Sequence, residues 1–449
     1  MHEHNGSMPK ACIVYVGGDD KFSSLTTSFT EAGYSLVPHG DAHGADIGLI
    51  DLRGSQTSPK KIQTICGLLR KSSPELSILI LIDTYIDHTA RRALRRHGEL
   101  VTMLSNPDGL IERCRQLLRL RNIAEEAGER LKTLASMSRL NEFPTISAPT
   151  TPLKVLIAGT AGPEALAAIN ALRPVTEQCV CVFSAGQAMR AAENTRFDCA
   201  VFLPAKESDP LLSLARALRR HPKHAGMPII FPVGDPDHAS DFVKRGASDF
   251  IYSNYIGADL AMKVQITARR ARLLRTMRRF LQACAGDGIR DSASGAFTAS
   301  FLAEHGARLC ARSDQTNKPL ALIALKIEAV SKEHGEPEPG RRALHQASRL
   351  INRLTRAEDA AARIAPDTFL VLAPATTEQN ATRAAMRIKG VLENTVFRSV
   401  NDKLLYGAQV TAITCAHRKG YCIEESVALA LTALREQAQA KPLSLQSPQ

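Results

Sequence analysis

Two tandem stretches of this chain alternate continuous apolar runs with helix-forming segments, and that alternation narrows the possible folds more than any other feature. In the first stretch the runs are Ala11–Val16, Ile47–Asp51, Leu76–Ile82 and Leu100–Leu104; in the second they are Leu153–Ala158, Cys179–Phe183, Cys199–Leu203, Met227–Val233 and Asp249–Tyr252. A strand that is apolar on both sides is stable only where helices cover both sides, so parallel sheets are expected. This predicts two doubly wound (βα)5 units, over residues 9–125 and 153–260.

The segments between these units read as connectors. A helix running through Arg121–Gly128 leads into Asn141–Pro152, where three prolines among serines and threonines mark a linker; together they give a helical extension and linker over 126–152. A second helix, from about Ala258 to Ala285, carries Arg269, Arg270, Arg272, Arg275, Arg278 and Arg279, with Ile266, Leu273, Leu274, Met277 and Leu281 at helical spacing. Residues 261–288 are therefore an amphipathic stalk, whose basic face is either solvated or a surface for nucleic acid.

The third unit, 289–440, centres on a hairpin. Thr368–Leu372 reads as a buried strand that follows the turn-forming Ala365-Pro366-Asp367. Arg356 and Asp359 lie on one side of the chain at the hairpin's mouth, a place to hold a ligand. The length of 449 residues suits three domains of roughly 100–200 residues each.

Composition removes some function classes. An apolar content of 44% supports packed cores, and no uncharged apolar run approaches a membrane span. Ten cysteines without CxxC spacing, and an opening without a charged-then-apolar export signal, make a reducing cytoplasm the expected location. A net charge of +12 admits nucleic acid, an anionic membrane surface or a phosphate-bearing ligand, whereas the lack of tryptophan argues against a single-strand stacking surface. The histidines form no HxxxH or HExxH, so His2 and His4 are not expected to hold metal, and Cys179 and Cys181 read as core residues.

The hairpin and its surroundings resemble the diguanylate cyclase, or GGDEF, family, whose signature falls on Ala365-Pro366-Asp367-Thr368-Phe369. The resemblance implies a nucleotide-cyclase-like fold. In the family two glycines let the main chain approach the phosphates of GTP; here both are replaced, one by a proline that has no N–H to offer. Asp291–Leu302 is similar to the family's DxLTGLxNRxxL opening, with Thr298 and Ala299 in place of Asn-Arg. In Leu320–Glu328 the first aspartate of the family's strand-DxD pattern is Lys326, and an ammonium repels the Mg²⁺ ions that the reaction requires. His334 and Arg341 stand near the residues that would read guanine. No cyclase activity, catalytic residue, resident metal or cofactor is expected.

The family's product-binding inhibitory site, by contrast, keeps its register. Its RxxD pair, nine residues before the signature, is Arg356 and Asp359, and its third basic residue, on the following helix, is Arg387. Arg312, fourteen residues before Lys326, matches a secondary arginine that completes the site from a neighbouring domain. The resemblance therefore implies a site for cyclic di-GMP at Arg356, Asp359, Arg387 and Arg312. A guanidinium fork fits the O6/N7 edge of guanine, and a carboxylate accepts from its N1–H and amino group.

The first two units resemble response-regulator receiver domains. Asp51 matches the phosphoacceptor and is the candidate for that role, although Gly17-Gly18 replace the acidic pair, with Asp19-Asp20 following, and Ser105-Asn106 replace the lysine. In the second unit Gly159-Thr160, Leu203-Pro204 and Asn254 occupy the corresponding positions, so no phosphoryl chemistry is expected there. The receiver–receiver–GGDEF order resembles that of an inactive cyclic di-GMP effector. It implies a homodimer, a protein adaptor or polar scaffold, a place at a cell pole, and delivery of a cell-cycle regulator to the ClpXP protease. Two other functions stay open: a phosphorylation-controlled receiver adaptor acting through Asp51, and a nucleic-acid-binding regulator using the Arg269–Arg279 helix.

Overall fold

The computed structural model describes residues 11–41, 44–54, 58–73, 76–83, 88–102, 107–139, 151–205, 209–221, 223–234, 242, 245–283, 288–331, 341–398 and 405–439. His2, His4, Ser105, Asn106, His334 and most of the proline-rich linker lie outside the described residues.

The apolar runs form two parallel sheets. The first unit contains β1 (Cys12–Val16), α1 (Asp19–Glu31), β2 (Ser35–Pro38), β3 (Ile47–Asp51), α2 (Pro59–Ser72), β4 (Ser77–Ile82), α3 (His88–Leu94), β5 (Glu99–Thr102) and α4 (Asp108–Ser136). Its strand order is β2-β1-β3-β4-β5, every pair parallel. The second unit repeats the plan with β6 (Leu153–Gly159), α5 (Pro163–Leu172), β7 (Thr176–Val182), α6 (Ala185–Asn194), β8 (Cys199–Leu203), α7 (Pro210–Arg220), β9 (Ile229–Val233), β10 (Asp249–Tyr252) and α8 (Ile256–Ala283). Its order, β7-β6-β8-β9-β10, is the same 2-1-3-4-5 arrangement of a doubly wound open sheet. Strands β3, β8 and β9 are buried at every position, which suits their apolar sequences and takes in Asp51 at the end of β3.

The third unit is antiparallel. It comprises α9 (Ala299–Thr316), β11 (Leu320–Ser331), α10 (Arg341–Leu354), β12 (Ala360–Ala365), β13 (Thr368–Pro374), α11 (Glu378–Glu393), β14 (Phe397–Arg398), β15 (Leu405–Ala416) and α12 (Ile423–Gln439), with strand order β12-β13-β11-β15-β14. Thr298 caps α9 by accepting the Phe301 N–H, so the threonine begins a helix in an ordinary way.

Two long helices tie the units together. The first half of α4 packs Leu110, Cys114 and Leu117 into the core of the first sheet, while Ile123, Ala127 and Leu134 enter a core shared with the third unit. Likewise α8 gives Leu260, Val264 and Ala268 to the second sheet and Phe280 and Leu281 to that same shared core. Ion pairs fix the remaining contacts. Asp259 of α8 meets Arg91 and Arg95; Arg113 of α4 lies between Glu99 and Asp249; and Arg270 of α8 reaches Glu99 at 2.6 Å. The basic face of the stalk is thus only partly solvated, since Arg272 and Arg275 also pair with Asp198.

Candidate ligand-binding site

The site begins where β12 leaves the turn after α10. The Arg356 N–H donates to Asp359 Oδ2 at 2.7 Å, and the Asp359 N–H donates back to the Arg356 carbonyl at 3.1 Å. This reciprocal turn forms because an aspartate side chain can satisfy a backbone donor three residues before it. Arg356 is exposed, with its Nη1 3.5 Å from Thr376 Oγ1, while Ala357 packs against the shared core and Glu358 is buried. The turn therefore presents the arginine outward and draws the two acids in.

Asp359 is the unusual member. Its Oδ1 is enclosed by protein and has no hydrogen-bond partner among the described residues. Burial pushes its pKa up to about 7, against the opposing pull of the Arg356 N–H, and the nearby Glu358 carboxylate pushes the same way. Arg387, exposed on α11, donates from Nη2 to the Leu354 carbonyl at 2.8 Å, two residues ahead of Arg356. Arg356, Asp359 and Arg387 are thus gathered around the end of α10. Arg312 has other partners: Glu125 Oε2 at 2.8 Å, the Glu125 carbonyl at 3.2 Å and Glu129 Oε1 at 3.5 Å, all on α4.

At the opposite end of the hairpin, β12 and β13 are joined through Pro366 and Asp367, with a register irregularity between Arg363 and Ala365. Arg363 holds the turn by donating to the Pro366 carbonyl at 2.8 and 3.2 Å and to Asp291 Oδ2 at 3.2 Å. Lys326 Nζ lies 2.7 Å from Glu328 Oε1 and 4.0 Å from Asp367 Oδ2. The hydrogen bond to Glu328, with the charge of both acids, raises the Lys326 pKa, so the ammonium persists between these carboxylates. That arrangement does not fit a pair of divalent cations, which need the carboxylates for themselves. Lys326 and Asp367 also line a cleft of about 610 Å³ whose walls combine aliphatic side chains, among them Leu302, Ile364, Ile423 and Leu434, with Glu424 and Arg435.

In the first unit Asp51 is fully engaged. Its Oδ1 accepts from the Arg53 N–H at 3.0 Å and from Arg53 Nε at 2.9 Å, and its Oδ2 accepts from Arg53 Nη2 at 2.6 Å and from the Tyr15 hydroxyl at 3.1 Å. Burial opposes ionisation, but Arg53 prevails and holds the carboxyl below its ordinary range. Gly17 is required here, because a Cβ on it would stand 2.3 Å from the Tyr15 hydroxyl oxygen. Asp19 and Asp20 are exposed at the start of α1. In the second unit the buried Leu203 ends β8 as Asp51 ends β3, and a Cβ on Gly159 would collide with it.

Sequence reasoning did not find Tyr15, Arg53, Arg363 or the Asp291 contact. Only Arg53, two residues beyond Asp51, carried a local signal, since an arginine at that spacing along an extended chain can fold back on the carboxylate.

The family model "Diguanylate cyclase, GGDEF domain" matches residues 289–442, and this third of the chain is a GGDEF domain. Solved structures similar to it include the GGDEF domain of DgcB from Caulobacter crescentus in complex with c-di-GMP, at 15% identity over 34% of this chain and 89% of that one, TM-score 0.31. The FimX GGDEF domain from Pseudomonas aeruginosa aligns at 18% identity over 34% of this chain and 95% of that one, TM-score 0.30. Diguanylate cyclase SiaD from the same organism, in complex with its activator SiaC, aligns at 20% identity over 42% and 72%, TM-score 0.32. No curated protein matches the chain. Among the described residues no helix is long and apolar enough to cross a membrane.

Proposed function

We propose that this protein is a catalytically inactive receptor for cyclic di-GMP, which binds at Arg356, Asp359 and Arg387 as an intercalated dimer of the dinucleotide. The observation that carries the reading is the enclosed, unpartnered Oδ1 of Asp359. A buried acceptor without a donor is costly, and the N1–H and amino group of guanine are the donors that would satisfy it. Arg356 and Arg387, both exposed beside it, supply forks for the O6/N7 edge and for phosphate. Arg312, held by α4, would contribute by ordering that helix against the third unit.

Loss of cyclase chemistry rests on Lys326 and Pro366. The ammonium takes the place of a metal ligand, and the proline removes a backbone donor from the turn that would cradle phosphate. The strand order of the first two sheets supports reading them as receiver folds. Receivers, lost chemistry and retained RxxD together are similar to PopA. On that likeness the protein works as a homodimer in the cytoplasm, goes to a cell pole, and through an adaptor or polar scaffold presents a cell-cycle regulator to ClpXP.

Calorimetric titration with cyclic di-GMP, beside a GTP turnover assay, tests the reading. Micromolar or tighter binding that Arg356→Ala and Asp359→Ala each abolish, with no turnover, is expected. Absence of binding by the native protein, or synthesis of the dinucleotide, would end it.

A further inference from the structure

A cleft of about 630 Å³ opens between α8 and the end of the second sheet at which its parallel strands begin. On the helix side it is lined by Arg272, Arg275 and Arg279, whose spacing puts them on one face of α8. On the sheet side stand Lys154 at the start of β6, and Arg196 and Asp198 just ahead of β8. Asp51 and Leu203 end their strands at the opposite, carboxyl end of the two sheets, so the cleft is separate from the positions considered for phosphoryl chemistry.

Asp198 organises this basic wall and is used up in doing so. Its Oδ1 accepts from Arg272 Nε at 2.8 Å and Arg275 Nη2 at 2.9 Å, and its Oδ2 accepts from the Lys154 N–H at 3.0 Å and from Arg272 Nη2. A carboxylate has about four acceptor positions, and four donors occupy them. Arg272 is also engaged elsewhere, since it donates to the Thr151 and Pro152 carbonyls. By contrast Arg196, Arg279 and the Lys154 ammonium have no hydrogen-bond or ion-pair partner among the described residues. Arg275 is half-buried, and burial pushes its pKa down, with Asp198 opposing and Arg196 and Arg272 adding to the fall. The second acid of the cleft, Glu177, is exposed, so five cations share a concave surface with two carboxylates, one of them saturated.

We infer that this cleft binds a ligand carrying adjacent phosphates, a pyrophosphate group either free or as part of a nucleotide. Adjacent phosphates present several anionic oxygens close together, which suits guanidinium forks arriving from two walls at once. The side chains of Gln178, Asn194 and Thr195, also in the lining, can bond a sugar or base attached to the phosphates. An occupant held from both walls clamps α8, which continues into the core shared with the third unit, onto the second sheet. The inference is independent of the receptor reading, because no residue of the RxxD turn takes part.

The test is calorimetry on the full chain with inorganic pyrophosphate and with ATP, in EDTA and at low and high salt. It compares the native protein with the double variant Arg196→Gln/Arg279→Gln and with a charge-matched control on α7, Arg216→Gln/Arg220→Gln, which lies outside the cleft. All four arginines are exposed, so both variants should fold. The native protein is expected to bind, the cleft variant to lose about tenfold or more in affinity with a flatter salt dependence, and the control to bind as the native protein does. Tighter binding of ATP than of pyrophosphate would identify the ligand as a nucleotide, and equal binding would identify the phosphates as all that is recognised. A native protein that binds neither, a cleft variant that binds as well as native, or an equal loss in the control would overturn the site.

Discussion

The Glu126 carboxylate and the His305 imidazole lie 2.9 Å apart, both shielded from water, and they join the extension of α4 to the first helix of the GGDEF domain. The same Glu126 Oε1 accepts from Arg130 Nε at 2.9 Å and Nη2 at 2.6 Å, while the far nitrogen of His305 meets Thr133 Oγ1 at 3.0 Å. Arg130 then donates to the Leu281 carbonyl of α8 at 3.1 Å and covers the Phe297 ring. One buried carboxylate therefore organises the junction of α4, α8 and α9. Its remaining oxygen has no partner among the described residues.

Removing that charge leaves Arg130 buried and uncompensated. Glu126→Ala is expected to destabilise the junction by about 3–5 kcal/mol, the range for a broken buried pair. Denaturant titration that follows the GGDEF domain checks this. The pH dependence has a definite sign. Burial works against the Glu126 charge, but His305 and Arg130 outweigh it and lower the pKa. The stabilisation is thus present above the ordinary carboxylate range and is lost on acidification through the folded value.

Asp359 has the opposite linkage. Its pKa is raised from 3.8 to about 7, so it binds more protons folded than unfolded, and its contribution turns unfavourable as pH rises across that window. A guanine donor needs the ionised carboxylate. Affinity for cyclic di-GMP is therefore expected to climb about tenfold in all from pH 6 to pH 8, most of it below pH 7, with proton release on binding in that acid half. Calorimetry in buffers of different ionisation enthalpy measures both. A flat profile would show that Asp359 does not accept from the ligand.

How much of this was legible beforehand follows from sequence distance. The long apolar strands announced themselves, whereas β2 did not, since Ser35-Leu-Val-Pro38 is four residues at a sheet edge with no apolar run. The RxxD turn closes over three residues, so motif spacing was enough to find it. The Glu126–His305 contact spans 179 positions and joins helices that look like plain connectors. Likewise the α8 arginines read as one basic stripe, although folding divides them: Arg272 and Arg275 go to Asp198, and Arg270 goes to Glu99.

The lysine set between two carboxylates makes a gain-of-function prediction. Lys326→Asp would put a third carboxylate beside Glu328 and Asp367, in place of the ammonium now 2.7 and 4.0 Å from them. Thermal unfolding of the native protein should be indifferent to millimolar Mg²⁺, and the variant should gain a Mg²⁺-dependent rise in Tm. GTP turnover should stay undetectable in both, because Pro366 still lacks the N–H that the turn would need to hold a phosphate. Equal Mg²⁺ response in both proteins would show that Lys326 is not what bars the cation.

Asp51 provides the last prediction. An acyl phosphate forms only if a carboxylate oxygen is free to attack while Mg²⁺ neutralises the incoming group. Here Arg53 grips both oxygens and the Tyr15 hydroxyl takes a further position on Oδ2. The native protein should therefore resist labelling by acetyl phosphate and Mg²⁺, as read by intact mass or acid-labile phosphate. Arg53→Ala should raise the Asp51 pKa towards the ordinary value and cost about 1–3 kcal/mol, the penalty for leaving a buried acceptor unmatched. It should still not restore labelling, because Gly17, packed beside Asp51 and Tyr15, offers no carboxylate to hold Mg²⁺. Labelling of the native protein that Asp51→Asn abolishes would mean that the Arg53 clasp opens in solution and that this unit transmits a phosphoryl signal after all.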